Sequence, residues 1–165
     1  MGNDCHNVRL QACCGGMLAG AYFLGVIRIY KFEEFNVSVL ETPVVFFIFK
    51  RPDKAQLVFN EIRRARPKQL FIIGDGARRD DIGVDELVQR GRLIAQQVDW
   101  PCELHIDFAD HNMGARRRVA SGLDIVFGAV DRAIILEDDC LPDPTFFRFC
   151  DELLAKYKDA EDVAL

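Results

Sequence analysis

The feature that most constrains this chain is the alternation, from residue 42 onward, of short apolar runs with segments of helical spacing. Three mostly apolar runs end at polar residues; they span residues 43–49, 69–74 and 132–137. A fourth segment, 102–109, alternates, with Leu104, Ile106 and Phe108 on one side. Runs of this length and composition are typical of strands that are buried in a sheet. Between the runs, apolar residues recur every three or four positions, which predicts amphipathic helices.

The signals for helix starts and stops agree with this pattern. Pro52 and Pro144 suit the first turn of a helix, where no backbone amide is needed, and Asp143 is a fitting N-cap. The second helix is predicted to run from Val84 to Val98 along one apolar face. Strand and helix therefore alternate four times. This order predicts an α/β fold: a mainly parallel, Rossmann-like sheet with helices on both faces.

Composition narrows the class of protein and its partners. The chain has 165 residues, of which 50% are hydrophobic and 28% charged, so it can bury a core as one globular domain. A net charge of -5 gives no reason to expect a nucleic acid as the main partner. The six cysteines form no C-x-x-C pair and no disulfide framework. This usage indicates a reducing compartment, and we expect a cytoplasmic location.

The two ends of the chain differ from its middle. Residues 1–41 are interpreted as an N-terminal extension of uncertain structure, and the nearly uncharged stretch 12–27 is short for a membrane-spanning helix, which leaves membrane association open. Cys5, His6, Cys13 and Cys14 do not have the spacing of a common zinc site. The final letters "DVAL" suit the start of a fifth strand, so we interpret the domain 42–165 as incomplete at its C-terminus.

Polar and charged residues follow each predicted strand. They are Lys50 and Arg51, Asp75 and Gly76, Asp110 and Asn112, and the triplet 137–139. Ligands of open parallel sheets bind outside the carboxyl ends of the strands. We therefore expect these residues, which are far apart in the chain, to meet along one edge of the sheet.

The acidic triplet Glu137, Asp138 and Asp139 is the most unusual of these groups. Carboxylates held this close raise one another's pKa or recruit a cation, and oxygen ligands favour Mg²⁺ or Mn²⁺. If the strand geometry continued through the triplet, Glu137 and Asp139 would point to one side and Asp138 to the other. The alternative is a solvated turn that is followed by the cap residue Asp143.

A second group lies in the segment "DHNMGARRRVASG". Gly114 permits a tight turn or the close approach of a ligand. Arg116, Arg117 and Arg118 lie in the first turns of a helix, where cations oppose the helix dipole unless an anion is near. Either at least one of them meets a phosphate group, or the three form a solvated face.

The remaining candidates each have an ordinary structural interpretation. Asp75-Gly76 is either a simple turn or a carboxylate that accepts the imide N–H of a uracil. Arg51 is either a solvent-facing residue at the start of a helix or a nucleotide contact. His105 alternates with apolar neighbours on a strand, and we expect it to be exposed on the opposite face. The chain has no G-x-G-x-x-G, no P-loop and no G-x-S-x-G motif, which disfavours dinucleotide oxidoreductases, P-loop NTPases and serine hydrolases.

Four segments carry a resemblance to a known family: "PVVFFIFKRPDK", "FIIGDGAR", "NMGARRRVASGLDIVF" and "AIILEDDCLPDPTFFRF". Together, and in this order, they resemble the GT-A glycosyltransferases, both the bacterial family 2-like enzymes and the N-acetylglucosaminyltransferases with a Glu-Asp-Asp form of the DxD motif. The likeness runs from Thr42 to the C-terminus. It implies that the domain 42–165 binds a nucleotide-diphosphate sugar donor.

The resemblance also implies roles for single residues. Asp139 would be the metal ligand, to Mn²⁺ or Mg²⁺, while Glu137 and Asp138 would contact the donor sugar and the ribose. Five further positions would bind the donor: Arg51 and Asp75, with Asp75 near the base, and Asn112, Gly114 and Arg118 around the donor pocket. The resemblance does not indicate which acceptor molecule receives the sugar.

One departure from the family pattern limits the prediction. The acceptor-binding half and the general base of such enzymes follow the DxD segment, so the base of an inverting transfer would lie beyond Leu165. A truncated, non-catalytic nucleotide-binding module is therefore an alternative to the transferase. A nucleotidyltransferase is another, but such enzymes usually carry a Gly-rich basic loop after the first strand, where this chain reads "FKRPDK".

Overall fold

The computed structural model describes residues 39–80 and 82–160, which belong to one compact unit, Asn36–Leu165. Its strands are β1 (Val44–Ile48), β2 (Gln69–Gly74), β3 (Glu103–Phe108) and β4 (Ile134–Glu137). Its α-helices are α1 (Pro52–Ala65), α2 (Val84–Arg92), α3 (Ala115–Phe127) and α4 (Pro144–Lys156), and a 3₁₀ helix, Leu93–Gln97, follows α2. The predicted alternation of strand and helix is confirmed.

The four strands form one parallel sheet in the order β3-β2-β1-β4. Strand β1 lies in the centre, and Phe46 aligns with Ile72 of β2 on one side and with Leu136 of β4 on the other. Every residue of β1 is buried, as its continuous apolar sequence predicts. The chain moves outward from β1 through β2 to β3 and then returns to the other side of β1. The carboxyl ends of β1 and β4 therefore flank a topological switch point.

Helices cover both faces of the sheet, as predicted. On one face Phe46, Ile72 and Leu136 pack with residues of α1, the 3₁₀ helix and α4. The other face is covered by α3, whose Val126 packs against β1 and β2. The Rossmann-like α/β class predicted from the sequence is thus the fold of the described residues.

Local sequence explains most helix ends. Pro52 and Pro144 occupy first turns, and the Asp143 side chain caps α4 by accepting the amide of Thr145. Helix α1 ends at Ala65, and the following cap residue, Arg66, has a left-handed φ of 48° and precedes Pro67. The second helix differs from its prediction, because α-helical geometry stops at Arg92 and tightens to 3₁₀, a common way for a helix to end.

Several sequence predictions concern residues outside the described ranges. These are the N-terminal extension up to residue 38 with its apolar stretch 12–27, the cysteines and histidine near the N-terminus, and the "DVAL" segment. None of the helices in the described ranges combines the length and apolarity that crossing a bilayer requires.

Candidate functional site

A cleft of about 300 Å³ opens at the carboxyl edge of the sheet. Phe47 and Ile73, at the ends of β1 and β2, and Val119 of α3 supply apolar wall. Six charged side chains also line it: Arg51, Asp75, Arg78, Arg118, Glu137 and Asp138. The cleft lies beside the switch point between β1 and β4, where open parallel sheets bind ligands. Of the residues predicted to meet at this edge, five line the cleft: Arg51, Asp75, Asn112, Glu137 and Asp138. Lys50, Gly76, Asp110 and Asp139 are not among its lining residues.

The acidic triplet does not continue the strand. Strand β4 ends at Glu137, and Asp138 and Asp139 form a turn that is closed by a 3.1 Å hydrogen bond from the Cys140 amide to the Glu137 carbonyl. The alternating directions expected for an extended chain are lost at this turn. Glu137 and Asp138 both line the cleft, whereas Asp139 lies beside it and is about one-third exposed.

Asp138 connects the ends of two neighbouring strands. Its side chain is 3% exposed, and its Oδ2 accepts the backbone amide of Phe49, just after β1, at 3.0 Å. The other carboxylate oxygen is 2.7 Å from a guanidinium nitrogen of Arg51. Burial raises the pKa of Asp138, and the charge of Asp139 adds to this, while the Phe49 amide and Arg51 oppose it. Additional positive charge at this turn would stabilise the ionised carboxylate.

Arg51 links both aspartates of the turn. One terminal nitrogen of its guanidinium contacts Asp138, and the other donates to Oδ2 of Asp139. Its side chain is 44% exposed and also lines the cleft. Arg51 is thus a partly exposed residue at the start of α1 that also lines the cleft, and its predicted contact with a nucleotide stays a prediction.

Asp75 fixes the loop on the opposite side of the cleft. Its Oδ1 accepts the amides of Gly76 and Met113, both at 2.9 Å. Its Oδ2 accepts the amide of Gly114 at 3.1 Å and the side-chain amide of Asn112 at 3.0 Å. Both carboxylate oxygens are thus fully used in holding the loop. A base contact, as the sequence predicted, would require Asp75 to give up one of these donors, and that role stays a prediction.

Asn112 and Gly114 shape the start of α3. Besides Asp75, the Asn112 side chain donates to the Gly76 carbonyl at 2.9 Å, so it joins the loops that follow β2 and β3. Gly114 has a φ of 78°, which a residue with a side chain rarely adopts. Gly114 and Ala115 line the cleft, and no side chain among the described residues caps α3. The first amides of the helix have no intrahelical partner and favour an anion in the cleft.

Of the three consecutive arginines, only Arg118 points inward. It is 5% exposed, donates to the Gly74 carbonyl at 3.0 Å, and pairs with Asp107 at 2.7 Å. Arg116 and Arg117 are exposed. The spacing of Arg118, Gly122 and Val126, the buried positions of α3, was the signal that could have identified it, because residues four apart share one helical face.

Arg78 is a lining residue that the sequence interpretation did not select. It is exposed, lies in the loop after β2 and contributes its side chain to the cleft wall. Its position after a strand end was the available signal, but the neighbouring Arg79 made the choice ambiguous. His105, in contrast, lies away from the cleft on β3, where its ring stacks on Phe71 with centroids 4.4 Å apart. It is 39% exposed, so its predicted exposure is only partial.

The acidic turn supplies oxygen ligands but no complete cage for a metal. Within residues 39–80 and 82–160, no group of three or more histidine, cysteine or acidic side chains converges on one point. The Glu137 carboxylate is exposed and has no hydrogen-bond or ion-pair partner among these residues, and Asp139 is shared with Arg51. Mg²⁺ commonly binds through one or two carboxylates, retained waters and substrate phosphates. The donor set fits such an ion when phosphate completes the coordination.

Comparisons with protein-family models, with curated proteins and with solved structures each found no significant match to this chain. The fold class rests on the strand order and helix layers described above. The resemblance to GT-A glycosyltransferases rests on the sequence motifs alone and stays a prediction.

Proposed function

We propose that this domain binds a nucleotide-diphosphate sugar together with Mn²⁺ or Mg²⁺ and serves a glycosyltransferase reaction. One observation carries the proposal: Glu137 and Asp138 at the end of β4, the start of α3 and Arg78 line one cleft at the carboxyl edge of a parallel sheet, and Asp139 directly follows Asp138. Such a cleft offers carboxylates for a cation and backbone amides for phosphate in the same small volume.

Each charged group then has a role. Asp139, with Glu137 beside it, would hold the cation, which when bound stabilises negative charge on the phosphate leaving group. The start of α3 and Arg78 attract the diphosphate. Asp138 keeps the ends of β1 and β4 together through the Phe49 amide.

The other predicted donor-binding residues act mainly on the shape of the pocket. Asp75 and Asn112 hold the loop that contains Gly114, and Arg118 ties α3 to the ends of β2 and β3. We assign no general base for the acceptor hydroxyl among the described residues.

Calorimetric titration of the purified chain with UDP, GDP and CDP, with and without Mn²⁺, tests donor binding. We expect metal-dependent binding of at least one nucleotide. Asp139→Ala should weaken it by roughly tenfold to a hundredfold, since a hydrogen bond or ligand contact to a charged group contributes about 1.5–3 kcal/mol. Asp131→Ala is the matched control, because Asp131 is an exposed acid at the opposite end of β4.

The results also separate the alternatives. The absence of metal-dependent heat with every nucleotide would contradict the proposal. Preferential binding of nucleoside triphosphates, with pyrophosphate release when a sugar 1-phosphate is added, would instead indicate a nucleotidyltransferase. Nucleotide binding without hydrolysis or transfer of any sugar would favour the non-catalytic module.

A cytoplasmic location is part of the proposal and rests on the cysteines. Cys102, Cys140 and Cys150, the cysteines of the described ranges, are free thiols. Proteins of reducing compartments keep their thiols in this state. Membrane association through the apolar stretch 12–27 stays a prediction, because these residues lie outside the described ranges.

A further inference from the structure

We propose that Arg51 is a built-in competitor of the divalent cation: its guanidinium bridges Asp138 and Asp139 in the ligand-free protein, and metal binding requires its displacement. This inference rests on the proposed function, because it concerns the same acidic turn. It adds a residue that sets the metal affinity of the turn in the absence of nucleotide.

The contact geometry is the first support. A guanidinium carries several donors in a fixed, planar fork, and Arg51 uses its two terminal nitrogens on two different carboxylates. Through these two contacts it offsets the repulsion between neighbouring aspartates, which is the task that a divalent cation would otherwise perform. Arg51 occupies Oδ2 of Asp139, so a metal that uses this oxygen has to displace the guanidinium, and one that binds elsewhere on the carboxylate meets its positive charge.

Asp138 and Asp139 differ in burial, and this difference indicates which of the two Arg51 contacts can open. Asp138 is nearly inaccessible and is anchored by the Phe49 amide, whereas the side chains of Asp139 and Arg51 are 32% and 44% exposed. Exposed ion pairs contribute little to stability. The Arg51–Asp139 contact can therefore open without disturbing the strand ends, while Asp138 stays in place.

The backbone around Arg51 limits what moves. Arg51 directly precedes α1, whose first residue is Pro52, and the Phe49 amide two residues before it is held by Asp138. The displacement is thus confined to the side chain. Because Arg51 lines the cleft, its released guanidinium stays beside any bound anion.

The competition predicts an unusual direction of effect: removal of a side chain should improve metal binding. We expect Arg51→Gln to bind Mn²⁺ alone about 1.5-fold to fivefold more tightly than the unchanged protein, the range of a weak, exposed ion pair. Arg51→Lys keeps the charge but lacks the planar fork, so the Mn²⁺ affinity of this variant should lie between those of the unchanged protein and Arg51→Gln.

Mn²⁺ binding is measured without nucleotide, by calorimetry and by the decrease of the free Mn²⁺ signal in electron paramagnetic resonance. Arg63→Gln is the matched control, because Arg63 forms a comparable exposed ion pair with Asp99 away from the cleft. Circular dichroism and the urea midpoint establish that each variant is folded. The control should leave the Mn²⁺ affinity unchanged.

The outcomes distinguish this inference from the proposed function. Equal or weaker Mn²⁺ binding by Arg51→Gln overturns the competition, while metal-dependent nucleotide binding by the unchanged protein would leave the proposed function standing. If neither protein binds Mn²⁺ with or without nucleotide, the metal site itself is refuted, and the competition with it. Tighter binding by Arg51→Gln but not by Arg63→Gln supports the inference.

Discussion

At the scale of single residues, the sequence predicts the location of the candidate site better than it predicts the contacts of each side chain. Asp75 illustrates the limit: the Asp-Gly pair indicates a turn, and the family resemblance indicates a base contact. The structure shows, in addition, a carboxylate that accepts four hydrogen bonds, three of them from residues 112–114. Those donors lie 37 to 39 positions away along the chain. Only the pairing of β2 with β3 brings them near, and no local pattern encodes that contact.

Asp75→Ala should therefore destabilise the protein substantially. The substitution removes the acceptor of three backbone amides in a buried setting, and we expect a loss of roughly 2–4 kcal/mol of unfolding free energy. The unfolding free energy of Asp75→Asn should lie between those of Asp75→Ala and the unchanged protein, because the asparagine side chain keeps one acceptor oxygen. Urea unfolding measures the effect.

Asp110→Ala provides the comparison for Asp75. Asp110 is exposed in the same loop region, and its replacement should change the unfolding free energy by less than about 0.5 kcal/mol. A loss for Asp75→Ala as small as this would mean that water replaces the carboxylate and that the loop does not depend on Asp75.

At the scale of elements, periodicity and end signals were sufficient to predict all four strands and the starts of α1 and α4. Proline and N-cap signals are local, so they can be recognised without knowledge of the tertiary fold. Two details were not local. The 3₁₀ segment after α2 interrupts an apolar period that continues to Val98. At the turn after β4, the Asp138 carboxylate bonds to the Phe49 amide, just after the neighbouring strand β1.

Asp143 at the start of α4 gives a pH-dependent test of such a local signal. Its carboxylate accepts the Thr145 hydroxyl at 2.7 Å and the Thr145 amide at 2.9 Å, and these bonds lower the pKa of Asp143. A lowered pKa in the folded state stabilises the fold above the ordinary aspartate pKa, and the contribution is lost as the pH falls through the folded-state value.

We expect Asp143→Ala to lower the urea midpoint at pH 7, and the deficit to shrink as the pH is reduced below about 4, the usual range of an aspartate. Asp143→Asn keeps a capping oxygen without a charge, so its midpoint should depend less on pH than that of the unchanged protein in this range. A deficit of Asp143→Ala that grows toward low pH would show that the cap is not the source of the effect.

At the scale of the whole molecule, the sequence predicted the parallel sheet and its two helical layers but not the strand order. That order makes β1 and β4 neighbours and so places the acidic turn beside Arg51. The close packing of α3 against the sheet could not be predicted from the sequence either. Gly122 of α3 lies so close to the sheet that an added Cβ would be 2.9 Å from the Phe47 ring and 3.0 Å from the Ile73 side chain. Both of those residues also line the cleft.

Gly122→Ala should therefore affect stability and ligand binding together. The added methyl group improves helix propensity by about 1 kcal/mol, but overpacking a core costs roughly 1–3 kcal/mol, and the buried Phe47 and Ile73 have little room to retreat. We expect a net loss of unfolding free energy and weaker nucleotide binding, because α3 must withdraw from the sheet. Ala120→Gly, on the exposed side of the same helix, should lower stability through propensity alone and leave nucleotide affinity unchanged. A more stable Gly122→Ala protein with unaltered affinity would refute the coupling between the core beneath α3 and the cleft.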